Sequence, residues 1–324
     1  INVSKYDFFP RMEIISDSLK SFKLLLLLKE LFKLLCYFCY IPISRIKMRN
    51  MFSSDDIIIV SSPAAGMFMS SKNRFILEIH TKFEYFWGTN KLGRLQSKLM
   101  SKPYITVFRT KSDMEKASKY FNSTYSYNFI NKELFNDTVS IGEKIRKHKI
   151  IYMGRFGKEK NLPKMIECAK QLKKQIPDFT LDMYGTGVLV DDIARLIEDN
   201  ALSENVHLCG FCNDKNIFDN YSLLWLTSDF EGMSMTIIEA KAKGVPTIST
   251  NWGDGVFEVI HDEEDGFVEN TVEDIVDRTV ELMNDKELLI NISKNALKNF
   301  DEFSKENAYK RWIELLKRFE GELE

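Results

Sequence analysis

The sequence predicts an α/β fold with two parallel-sheet domains, and three observations carry that expectation. Short β-rich apolar runs alternate with segments of helical period. The length of 324 residues, with 44% hydrophobic and 28% charged, suits two ordinary globular domains. The charge then divides the chain. Residues 1–149 hold 25 Lys and Arg against 13 Asp and Glu, a net of +12, whereas residues 150–324 hold 20 against 34, a net of −14. A formal total of −2 thus hides two halves suited to different partners.

Taken in order, the first strongly apolar stretch is 22–43 (FKLLLLLKELFKLLCYFCYIPI). It fails as a membrane span, because Lys29, Glu30 and Lys33 would lie near the bilayer centre at a few kcal/mol each. A packed helix with a basic exposed edge is the reading it supports. Strands are expected at 57–60, 75–79 and 104–108. No glycine precedes Gly66, and the chain begins at Ile1, so an N-terminal strand–helix unit is expected to be absent from the first domain. The polar, charged stretch 136–147 reads as the boundary. Beyond it strands are expected at 149–153, 180–184, 206–208, 223–227, 246–249 and 266–268, and helices at 162–175, 188–199, 236–243 and 272–284. A last amphipathic helix, 303–319, carries Trp312. The expected domains are 1–147, incomplete; 148–302; and a C-terminal helix, 303–324, crossing back to the first.

Five cysteines without a disulfide framework, and no visible secretory signal, favour a reducing cytoplasm. Cys36/Cys39 and Cys209/Cys212 have CxxC spacing, but Cys36 and Cys39 sit in an apolar helical pattern rather than a turn-rich knuckle, so no metal site is expected.

Two constellations carry chemistry. The loop Gly154-Arg155-Phe156-Gly157-Lys158-Glu159-Lys160-Asn161 follows a strand and precedes a helix, where free N–H groups and the dipole favour anions. Arg155 offers a fork of donors and Lys160 a point charge, a set that suits a diphosphate. A solvated basic loop has the same composition, and spacing alone leaves both readings open. In the second constellation, 229–240 (DFEGMSMTIIEA), Glu231 lies in the loop after a strand and Glu239 one turn inside the next helix. Carboxylates there can accept hydrogen bonds from sugar and ribose hydroxyls, and Gly232 lets backbone approach closely. Taken singly, Glu231 reads equally well as a capping acid and Glu239 as a surface residue.

The strings GRFGKEKN, LDMYGTG, VHLCGF, EGMSMTIIEAKAKGVPTIS and NWGDGVFEVI followed by DGF, in that order, give residues 150–284 a resemblance to the donor-binding domain of family 4 of the retaining glycosyltransferases. The resemblance implies the GT-B fold of two facing Rossmann-like domains. It implies that Arg155 and Lys160 hold a diphosphate, Glu239 the ribose and Glu231 the donor sugar. The main chain at Met233, Ser234 and Met235 would meet phosphate or sugar, and Gly154 and Gly185, inside matching strings, are counted with the donor-binding residues. Ser234 stands where many members have proline. In the first half the resemblance is thinner, and covers FILEIH and 128–135. It makes His80, at a strand end, the residue beside the reacting anomeric centre, whereas a lone strand-end histidine is more often structural.

The function so implied is a retaining hexosyltransferase that moves a sugar from a UDP-sugar to a surface-glycan or glycolipid acceptor. The chain has no Asp-x-Asp string, so metal independence is expected, with neither metal nor cofactor. A GT-B sugar-nucleotide epimerase and an inactive donor-binding partner subunit remain as alternatives. Expected partners are the nucleotide sugar, the acceptor and, through the basic segment 20–49, an anionic membrane face on the cytoplasmic side; no nucleic-acid partner is expected.

Overall fold

A computed structural model describes residues 40–53, 56–87, 98–131, 148–214 and 216–321. The chain divides into two compact units, Ile1–Phe108 with Glu115–Thr124, and Arg109–Met114 with Tyr125–Glu324. The expected boundary at 136–147, Cys36, Cys39 and residues 22–39 of the apolar stretch lie outside the described residues.

In the first unit a four-stranded sheet has the order β1 (Ile58–Val60), β2 (Phe75–Glu78), β3 (Ile105–Phe108), β4 (Ser123–Tyr125). β1 pairs with β2 and β2 with β3 in parallel. β3 is buried along its whole length, as a strand covered on both faces must be, whereas Ile59 on the edge strand β1 is exposed. β4 was not among the three strands expected. Its Ser-Thr-Tyr is half-buried, so no apolar run marked it.

Residues 40–51 form helix α1, with Lys47 and Arg49 exposed. Arg45, counted with them in the basic segment, instead donates from Nε to Met67 O at 3.1 Å, and also to Leu99 O, so its charge is used inside the unit. Among the described residues no helix is long and apolar enough to cross a membrane. Short helices α2 (Pro63–Gly66), α3 (Phe83–Trp87) and α4 (Lys111–Ala117) follow β1, β2 and β3 in turn.

The second unit holds a six-stranded parallel sheet. Its strands are β5 (Lys149–Met153), β6 (Thr180–Tyr184), β7 (Val206–Gly210), β8 (Leu223–Leu226), β9 (Thr247–Ser249) and β10 (Gly266–Val268). Their order is β10-β9-β8-β5-β6-β7, with every neighbouring pair parallel. The chain runs outward from β5 to one edge, returns, and continues from β8 to the other. The direction therefore reverses between β5 and β8, where a doubly wound sheet opens a crevice at its carboxyl ends.

The flanking helices are α5 (Leu162–Gln175), α6 (Val190–Asp199), α7 (Met235–Ala242), α8 (Val272–Asn284) and α9 (Lys286–Asn299). α8 begins in a capping box, with Thr271 and Asp274 each serving the other's backbone N–H. α9, not among the helices read from the sequence, starts one residue after α8 ends; Asp285 caps it by accepting from Leu288 N at 2.9 Å. The C-terminal helix α10 spans Lys305–Glu320 and follows a 3-10 turn at Phe300–Phe303, later than the expected start. Trp312 on it is half-buried, and the Arg311 guanidinium lies 4.6 Å from the centre of the Tyr127 ring.

Candidate active site

The loops after β5 and β6 meet backbone to backbone. Gly154 N–H donates to Tyr184 O at 2.9 Å, and Gly185 N–H to Gly210 O at 2.8 Å. Gly185 has φ +143, and a Cβ there would stand 1.8 Å from Gly154 O. No other residue fits that approach. Beneath the loop lies Tyr152, wholly buried, whose hydroxyl donates to Arg155 O at 3.0 Å. Burial pushes this phenol well above its usual range, reinforced by the charges of Glu231 and Glu159, so it stays a hydrogen-bond donor.

The loop reaches the expected helix through a short turn of its own. Residues Lys158–Lys160 form a 3-10 turn, Asn161 follows in the left-handed region at φ 47, and α5 begins only at Leu162. Lys160 therefore sits before the helix terminus rather than in it. Its Nζ crosses to the loop after β8 and meets Glu231 Oε1 at 2.5 Å, with the two side chains 16% and 12% exposed. Ser228 Oγ donates to the same oxygen at 2.8 Å. Asp229 N–H donates to Glu159 O at 2.9 Å, and Asn161 Nδ2 to Asp229 Oδ1 at 2.8 Å. The two loops that flank the reversal are thus fastened together, and a Lys–Glu pair spans the gap.

Arg155 is placed differently. Its side chain is 74% exposed and pairs with Glu159 at 2.5 Å. Glu159 is held below the usual carboxylate range by its own backbone hydrogen bond and then by Arg155. The two cations read alike in the sequence, yet one is solvated and the other nearly enclosed.

Helix α7 starts beside this pair. Ser234 occupies its N-cap position without a side-chain capping bond, and Thr236 Oγ1 donates to Met153 O at 3.1 Å, which ties the first turn to the end of β5. Met235 is partly exposed, Met233 is buried, and Asn128 N–H donates to Met233 Sδ at 3.3 Å. Met233 therefore has its side chain engaged elsewhere. Glu239 follows one turn inside α7 and is half-buried.

His80 belongs to the first unit, just beyond β2, where its Nε2 lies 3.9 Å from Glu78 Oε2. The other described histidines each face an aspartate: His148 Nδ1 to Asp178 at 3.1 Å, His207 Nδ1 to Asp182 at 2.8 Å and His261 Nδ1 to Asp265 at 2.8 Å. Cys209 and Cys212 are free thiols, and among the described residues no group of three or more His, Cys, Asp or Glu could hold a metal ion. Sequence reasoning missed Tyr152, Thr227 and Ser228, and gave no role to Asn161 and Asp229, which stand inside its two constellations. The Thr-Ser pair at the end of β8 was the available signal, since hydroxyls at a strand's carboxyl end face the crevice.

Comparison with known proteins now bears on this geometry. The family model described as "Glycosyl transferases group 1" matches residues 136–299, just over half of the chain. The poly(glycerol-phosphate) alpha-glucosyltransferase of Bacillus subtilis is 28% identical over 51% of this chain and 25% of its own length. The poly(ribitol-phosphate) alpha-N-acetylglucosaminyltransferase of Staphylococcus aureus is 28% identical over 51% of this chain and 34% of its own. The chain thus spans between a quarter and about a third of the length of these relatives. A mutant of S. aureus TarM, solved with Fondaparinux, alpha-GlcNAc-glycerol and UDP, superposes with a TM-score of 0.72 at 21% identity, covering 85% of this chain and 58% of that one. The likeness shows the fold, which is GT-B.

Proposed function

The chain belongs to the glycosyl transferases group 1 family, and from that premise we propose that it transfers a hexose from a UDP-sugar to a glycan or glycolipid acceptor with retention of anomeric configuration and without a metal. The observation that carries this reading is the Lys160–Glu231 pair across the β5/β8 reversal, a cation and a carboxylate held together where a nucleotide binds in doubly wound sheets.

In this reading the donor diphosphate takes Lys160 and Arg155 as counter-charges, Glu231 accepts from a hydroxyl of the donor sugar, and Glu239 accepts from the ribose. The main chain at 233–235 approaches the phosphates. The anomeric C–O bond breaks with its electron pair leaving on the diphosphate, while the acceptor hydroxyl oxygen forms the new bond and its proton passes to the departing diphosphate. Charge develops on the leaving group, so cations fixed in advance lower the barrier.

The UDP bound to TarM and the hexosyl transfers in the relatives' names support the donor. The relatives' polyol-phosphate acceptors are polyanions, and a first half with a net charge of +12 suits such a partner. Peripheral contact of that basic half with an anionic membrane belongs to the same reading.

The test is transfer from a panel of nucleotide sugars to glycan and polyol-phosphate acceptors, with and without EDTA. Turnover with a UDP-hexose that survives EDTA is expected. Donor turnover without added acceptor to give an epimer would overturn transfer, and activity restored only by added Mg or Mn would overturn metal independence.

A further inference from the structure

We infer that Thr227 and Ser228, the two residues that follow β8, are positioning residues that set Lys160 and Glu231 separately: Thr227 fixes the cation's loop and Ser228 orients the carboxylate. The inference rests on the donor-site reading above and deepens it. Both residues are 1% exposed, so neither hydroxyl can satisfy itself in water.

Thr227 Oγ1 donates to Lys160 O at 3.1 Å and is also 3.2 Å from Asn161 O, reaching across the reversal from β8 to the loop after β5. Asn161 is the residue with left-handed φ that turns the chain into α5. Thr227 thereby holds the backbone on both sides of the turn that aims Lys160.

Ser228 acts on the other partner. Its hydroxyl donates to Glu231 Oε1, and Lys160 Nζ donates to that same oxygen. Two donors on Oε1 leave Oε2 without a hydrogen-bond partner among the described residues, which fixes which oxygen can accept from a sugar hydroxyl. Ser228 is itself anchored, since Thr250 Oγ1, just after β9, donates to Ser228 O at 2.6 Å. The carboxylate's orientation is thus built into the sheet through two successive contacts, Thr250 to Ser228 and Ser228 to Glu231, and does not depend on Lys160. That independence matters because a diphosphate competes with Glu231 for the lysine. When Lys160 turns to the phosphate, Ser228 still holds Oε1 in place.

The two roles separate kinetically. Ser228→Ala in the full chain is expected to lower kcat about 10-fold, the loss of one hydrogen bond to a charged acceptor, with donor KM and UDP affinity within about threefold of wild type. Ser228→Thr, which keeps the hydroxyl, is expected to restore most of the rate. Added to Glu231→Gln, Ser228→Ala is expected to cost little more, because the oriented group has already been changed. Thr227→Val is expected to show the opposite split, a UDP affinity lowered about 5- to 10-fold with kcat nearly kept, and Thr227→Ser to rescue it.

Wild-type kcat in Ser228→Ala, an undiminished effect of Ser228→Ala on top of Glu231→Gln, or the same kinetic pattern for both positions overturns the inference while leaving UDP binding and transfer intact. Wild-type chain that neither binds UDP nor turns over a nucleotide sugar overturns the donor-site reading and the positioning roles with it. Thermal unfolding of each variant separates these results from simple loss of fold. A rate loss that tracks the melting temperature, without rescue by the hydroxyl-bearing variant, marks a structural role and also overturns the inference.

Discussion

The two cations of the loop after β5 carry the same formal charge but sit in different surroundings. Lys160 is nearly enclosed beside Glu231, where the effective dielectric is low, whereas Arg155 is mostly solvated and its pairing with Glu159 is screened. Lys160→Ala is therefore expected to weaken UDP binding roughly 10- to 150-fold, the range for losing a charge-assisted contact, and Arg155→Ala by less. Titration calorimetry decides between them, and equal effects would mean that enclosure does not matter here. The glutamates divide likewise. Glu231→Gln is expected to damage turnover more than nucleotide binding, and Glu239→Gln mainly to weaken binding. Identical changes in kcat and Kd would show that these roles are wrongly divided.

Helix α7 carries Glu239 and is fixed at its far end by two enclosed ion pairs. Lys241 Nζ meets Asp265 Oδ2 at 2.7 Å, and Lys243 Nζ meets Asp219 Oδ2 at 2.9 Å and Asn216 Oδ1 at 2.8 Å. Burial pulls the Lys241 ammonium below its usual range, opposed by Asp265. Such a pair adds little stability over a well-packed apolar replacement, but breaking it strands a charge. Lys243→Ala is expected to destabilise the protein by about 3–5 kcal/mol, and Lys243→Met combined with Asp219→Leu by much less. Urea unfolding of the three proteins tests this, and a double variant as unstable as Lys243→Ala would refute it. Gly244, at φ +65, ends the helix directly after Lys243, and a Cβ there would meet the Leu297 side chain at 2.8 Å.

For the whole molecule the charge division leads to a partner. Binding to phosphatidylglycerol vesicles is expected at low salt and should fade toward about 0.5 M, because each basic residue near the surface contributes about 1 kcal/mol and screening sets in within about 8 Å at physiological salt. Lys47 and Arg49 remain available for this, and Arg45 does not. Flotation that leaves the protein in the soluble fraction at low salt would point the basic half toward a soluble polyanion instead. The sequence by itself determined the alternation of strands and helices in the second unit, and fixed α5 and α8 to the residue, because buried parallel strands and amphipathic helices write their periods directly into local composition. It also singled out Arg155, Lys160, Glu231 and Glu239 as candidates, since they stand in two short contiguous strings. Only the tertiary structure decided that Lys160 and Glu231 are partners, that Arg155 is solvated, and that Thr227 and Ser228 brace the loops. The contacts of Lys160 with Glu231 and Thr227 join residues about seventy apart in the chain across a reversal of strand order, and no local pattern encodes which side chains such a reversal brings together.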